Sequence, residues 1–209
     1  MQLLSWNATK RGSMTSAEIA IVAAKQAGYD AHEIVRLIDV LRAGNDDEIF
    51  PGINRAKAAP TAITVQGALF TRLHLVVCRH FAPPRKGDYS AATAFDILED
   101  QAVVNKLAPT GVRPEQVKEW RLIWEVWSRN PLVQKMMHLR NKELAHVSFL
   151  NPDIPKPMIS ELFEFSEETA RQLFQLAKTL HCGSTDFDFE RKEQKKSAEA
   201  FWGVWKTPT

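Results

Sequence analysis

Cysteine is scarce in this chain: Cys78 and Cys182 are the only two in 209 residues. Neither stands in a close-spaced metal or redox pattern, which excludes a disulfide-stapled scaffold and predicts a reducing, cytoplasmic setting. A dominant sign of charge is also missing, since 27 basic against 25 acidic residues leave a net +2. No global field draws the protein onto nucleic acid, so any RNA or DNA site has to be a local basic patch. No apolar run approaches the ~20 residues of a membrane span, and Lys10 and Arg11 are not followed by a run of signal-peptide length. The expectation is a soluble protein with no membrane partner. There is no glycine-rich phosphate loop of the G-x-x-x-x-G-K type, no internal repeat and no low-complexity segment.

What is present is helical patterning, with 44% hydrophobic residues, enough for a real core. Thr15 and Glu18 stand at capping-box spacing, and Gly28 closes a first short helix. Asp30 and Glu33 repeat the signal, so a second helix runs from about residue 31 to 43 with Ile34, Leu37, Ile38 and Leu41 along one stripe. Gly44 to Pro60 reads as loop. Residues 1–60 are thus expected as an N-terminal helical hairpin docked on a core of residues 61–183, with 184–209 a helical tail.

Thr61 to Phe81 is the most apolar segment and reads as a buried helix, although its β-branched residues leave a strand open. His74, Cys78 and His80 invite a metal reading, but a site needs further ligands from elsewhere, and core packing or solvent-facing histidines account for them; no metal and no cofactor is expected. Ser90 starts a helix through Leu107. Pro114 opens another with Val117, Trp120, Trp124 and Trp127 on one face. Such a stripe could stack bases, but large aromatics at helical spacing read first as core or subunit interface. Ser166 is expected to cap a later helix closed by Gly183. The basic run Arg191 to Lys196 reads as a solvated helical face, and Phe201, Trp202, Val204 and Trp205 as the means by which a last helix docks.

The chemistry concentrates in Leu139-Arg140-Asn141-Lys142-Glu143-Leu144-Ala145-His146, on a helix predicted from about Pro131 to Val147. Arg140 is permanently charged and can hold a phosphate through two parallel hydrogen bonds, while His146 can exchange a proton near neutral pH. Glu143 lies three residues from each and could orient either side chain. On an ideal helix, six residues advance ~9 Å and leave two side chains about 120° apart. Arg140 and His146 therefore meet only if the helix ends or kinks between them, or if two chains face each other.

Arg140-Asn141, the spacing to His146 and the wording Arg-Asn-Lys-x-x-Ala-His resemble the HEPN superfamily, and most of all its abortive-infection, AbiU-like branch. The resemblance covers Thr61 to Gly183 and is specific only over Arg140 to His146. It implies a HEPN-like all-α bundle that pairs as a homodimer and acts as a metal-independent endoribonuclease in phage defence or a toxin–antitoxin system, with room for an antitoxin partner. It further implies that Arg140 contacts the scissile phosphate, Asn141 adds a polar contact, His146 transfers a proton, and Lys142 and Glu143 bind or orient. The alternative is a non-catalytic RNA- or nucleotide-binding or protein-interaction module, which the balanced charge favours.

Overall fold

The computed structural model describes residues 14–144, 157–183 and 186–206. Among these residues the chain is all-α, with helices α1 (Ser16–Gly44), α2 (Phe50–Arg55), α3 (Ala59–Arg79), α4 (Ala91–Ile97), α5 (Gln101–Leu107), α6 (Pro114–Ser128), α7 (Pro131–Leu139), α8 (Ile159–Thr179) and α9 (Phe187–Gly203), and no strand.

The capping box forms: Thr15 Oγ1 accepts from the Glu18 N–H at 3.3 Å, and the Glu18 carboxylate accepts from the Thr15 N–H at 2.7 Å. The expected hairpin does not follow, because α1 is a single helix of 29 residues that runs straight through Gly28. A Cβ on Gly28 would sit 3.1 Å from the Ala177 Cβ of α8. The glycine serves close approach of two helices and ends neither. Asp30 is turned inward to Gln26 and His80 instead of capping a new helix.

The face of α1 explains its place at the centre. Ala20, Ala23, Ala24, Ala27 and Ala31 are fully buried, and their small side chains let a neighbour approach closely; Ile34, Ile38 and Leu41 then widen the contact. Helices α3, α4, α8 and α9 all pack on it. One hydrophobic cluster joins these residues to Leu73, Val77, Trp120, Trp124, Leu162 and Leu173, so it runs across the boundary expected at residue 60.

Two further expectations are corrected by local hydrogen bonding. The helix expected from Ser90 to Leu107 is two, because the Asp100 carboxylate takes the Ala102 N–H at 2.8 Å and starts α5 anew. Ser90 does cap α4, its Oγ accepting from the Thr93 N–H at 3.3 Å. Ser166 is not a cap: it lies buried inside α8, which begins seven residues earlier, where the Glu161 carboxylate accepts from the Met158 N–H at 2.8 Å. Leu162, Phe163 and Phe165 are buried in that added first stretch, and their burial favours the longer helix.

Helix α3 is long and apolar enough to cross a membrane by length and composition, which corrects the expectation that no segment approaches that size. Its second half is built into the bundle, where Leu73, Val76 and Val77 are buried, Arg72 forks onto Glu33 of α1 at 2.6 and 2.9 Å, and Arg79 pairs with Asp30. Its first half exposes Ile63 and Val65. The tail helix α9 docks as expected by one aromatic: Trp202 is buried, and its Nε1 donates to the Val40 carbonyl at 2.9 Å.

Candidate functional site

Helix α7 presents the motif. Asn130 Oδ1 accepts from the Leu132 N–H at 2.9 Å and Pro131 occupies the first turn, so the start is fixed by sequence. Met136 and Leu139 are the buried residues that hold α7 against the core. From Arg140 to Leu144 the helix widens into a π turn. One turn earlier the buried His74 of α3 places Nε2 2.7 Å from the Met136 carbonyl oxygen, and a carbonyl only accepts, so His74 donates. That carbonyl also receives the Arg140 N–H.

The π turn departs from the ideal helix on which Arg140 and His146 were expected to diverge, and it is described as far as Leu144. Arg140 is half-exposed, and Asn141 and Lys142 are exposed. Arg140 donates to Asn141 Oδ1 at 3.4 Å, a long bond that a phosphate oxygen could replace. His146 lies outside the described residues, as do Ala145 and the side chain of Glu143.

Behind the turn sits Cys78, buried in α3. Burial pushes its thiol up to about 12, against a downward pull from the Arg140 charge. The thiol stays protonated and is no nucleophile at neutral pH. The field of Arg140 nevertheless reaches it, which ties the motif to the second half of α3.

The three residues that invited a metal reading are each engaged otherwise. His74 holds Met136, and Cys78 is an inert buried thiol. His80 is fully buried, with Nε2 2.8 Å from Asp30 Oδ2 and Nδ1 3.1 Å from the donating Ala91 N–H. Since Nδ1 accepts, Nε2 carries the proton and the ring is neutral. Burial, with the Arg79 charge adding to it, lowers the pKa of His80 to about 3. Among the described residues no group of three potential ligands could hold a metal ion.

The tryptophans belong to the core. Trp124 stacks on Phe81 at 5.0 Å between ring centroids, Trp127 stacks on Phe165 at 4.7 Å, and the indoles of Trp120 and Trp127 donate to Gln172 O and Thr169 Oγ1 at 3.1 and 3.0 Å. They are not free platforms for bases. The basic run of α9 is a paired surface: Arg191 meets Glu167 at 2.5 Å and Lys196 meets Glu193 at 2.7 Å.

Two polar groupings escaped the sequence reading. One is the Asp30, Arg79 and His80 network. The other surrounds Asp39, a carboxylate buried on α1 beside Arg42, Arg191 and Lys195. The available signal for both was an aspartate inside an otherwise apolar helical stripe.

No family model, curated protein or solved structure matches this chain.

Proposed function

We propose that the protein is a metal-independent endoribonuclease of the HEPN type, acting as a homodimer in phage defence or a toxin–antitoxin system. The observation that carries the reading is the π turn beginning at Arg140, which presents Arg140, Asn141 and Lys142 near or at the surface of an all-α bundle.

The chemistry follows from the substrate. RNA carries its own nucleophile, the 2′-hydroxyl, so cleavage asks for a base to take its proton, an acid for the departing 5′-oxygen, and cations for the crowded phosphate. In this reading Arg140 grips the phosphate, Lys142 adds charge, Asn141 orients and His146 moves the proton. One histidine cannot be base and acid in the same step. A twofold pair supplies two copies and places both at one cleft.

The test incubates the purified chain with single-stranded RNA in excess chelator, beside Arg140→Ala and His146→Ala. Products ending in a 2′,3′-cyclic phosphate, lost in both folded variants, are expected. Intact RNA with the unsubstituted protein, or cleavage that survives both substitutions, rejects the proposal.

A further inference from the structure

The outer face of α1 carries Lys25, Tyr29, His32 and Arg36 at steps of four, three and four, a spacing that lines them up as one ridge about 16 Å long. Two shallow hollows flank the ridge and share Tyr29 and His32. One lies against α8 beside Phe174, the other against α3 beside Leu69 and Arg72. Tyr29 is 71% exposed, so its ring stands in solvent near the middle of the ridge. The His32 ring meets the Phe174 ring edge-on at 5.9 Å between centroids, an aromatic pair beside the first hollow.

Charge is one-sided here, unlike the chain as a whole. Lys25, Arg36 and Arg72 line the two hollows against one acid, Glu33, which is already forked onto Arg72 at 2.6 and 2.9 Å. Lys25 and Arg36 have no ion pair among the described residues. Asp30 and Asp39, the other acids of this part of α1, are buried; Asp30 is paired with Arg79, and the cations acting on Asp39 are Arg191, Arg42 and Lys195. The lining is left with two positive charges in excess, one at each end of the ridge, and an exposed aromatic ring between them. A polyanion that carries flat groups along its length fits that order, with phosphates on the cations and a base on the tyrosine. A folded protein partner would need an apolar centre to bury, and a membrane surface would need protruding apolar side chains; the ridge offers neither.

We propose that this ridge of α1 binds single-stranded nucleic acid, with Lys25 and Arg36 on backbone phosphates and a base stacked on Tyr29. Arg140 lines neither hollow, and the proposal does not rest on the ribonuclease reading, because a strand held here need not be cut.

Fluorescence anisotropy of the full chain tests it with short labelled probes: oligodeoxythymidylate, 2′-O-methyl oligouridylate, a DNA duplex, and an abasic strand that has the backbone without the bases. None carries the 2′-hydroxyl that the ribonuclease reaction needs, so binding is read apart from cleavage. At least one of the two single strands binds, and the tighter one names the sugar. The duplex, whose bases are not free to stack, and the abasic strand bind about tenfold more weakly or worse. Log affinity falls with log salt, and Lys25→Ala and Arg36→Ala each reduce that slope by about 0.7, the share of one phosphate contact. Tyr29→Ala weakens binding about tenfold with the slope unchanged, while Tyr29→Phe, which keeps the ring, binds as the unsubstituted chain does. All three side chains are exposed, and circular dichroism checks the fold of each variant. Arg140→Ala also binds as the unsubstituted chain does. No binding of either single strand at low salt, slope and affinity unchanged in Lys25→Ala and Arg36→Ala, full binding by Tyr29→Ala or of the abasic strand, or as large a loss in Arg140→Ala as in Arg36→Ala overturns the proposal.

Discussion

Lowering the pH from 7 to 5 should destabilise this protein's core through one residue, His80. Its ring is fully buried between α1 and α4, neutral, and unable to accept a proton at Nδ1 without losing the Ala91 N–H and setting two donors against each other. Asp30 would favour a charged ring, but Arg79 already pairs with the same carboxylate oxygen. The folded pKa, about 3, therefore lies below the ordinary value of 6.5. With a depressed histidine pKa the unfolded chain binds more protons, so the stabilisation is complete above 6.5 and is lost as pH falls towards 3. Each pH unit in that window costs about 1.4 kcal/mol, or roughly 2 kcal/mol between pH 6.5 and 5. That is a large share of the ~5–15 kcal/mol of a typical domain. Glu18, Glu167 and Glu193, whose folded pKa values are lowered from 4.5, lose their contributions only below that value, so they leave the window clean. Asp39 has the opposite sign, since its raised pKa makes the fold gain as pH falls through it. Urea unfolding followed by tryptophan fluorescence at pH 7, 6 and 5 measures the slope, and His80→Gln provides the control, because it keeps a donor towards Asp30 and cannot titrate. The variant should be less stable at pH 7 and nearly flat from 7 to 5. A flat profile in the unsubstituted chain, or the same slope in both, refutes the argument.

Three other outcomes follow from packing. Gly44→Ala places a Cβ 2.8 Å from the Trp202 ring, and since that indole is buried and tied to Val40 it cannot yield; a loss of about 1–3 kcal/mol in denaturant unfolding is expected. Trp124→Ala, which removes a fully buried indole stacked on Phe81, should cost about 3–5 kcal/mol by the same measurement, whereas a solvent-facing platform would cost almost nothing. Cys78 should resist an aromatic disulfide reagent at pH 8 while the chain is folded and react fully in denaturant, read from the released thiolate; rapid labelling of both cysteines in the native protein contradicts its burial.

Much of the fold was legible where a residue acts through its immediate neighbours. Thr15 with Glu18, Ser90, Pro114 and Asn130 marked four helix starts, because a cap depends only on the three or four residues after it. The tryptophan stripe read as core and is core. What failed was the inference from a punctuating residue to a break. Gly28 looked like a terminator and is a crossing point, which only the position of Ala177 on α8 decides. Asp30 looked like a cap and is the partner of residues 49 and 50 positions further on, Arg79 and His80. Ser166 is buried in a helix whose start depends on packing further along. In each case a long-range contact overrode a local preference, and one sequence holds no record of such contacts.

The candidate site divides along the same line. Arg140, Asn141 and Lys142 stand out by residue type and by the resemblance of their motif, whereas the widened turn that carries them does not show in the sequence, and the bond next to it comes from His74, 62 residues from Met136. A π turn gives up regular hydrogen bonding and persists where surrounding contacts hold it. Here those contacts are the His74 bond on one side and the burial of Leu139 on the other. Replacing His74 by a residue that fills the space without donating would release the Met136 carbonyl to Arg140 alone. A buried histidine that contributes no chemistry to the motif thus ties the helix that carries it to α3, and His74 is the place where fold and candidate site meet.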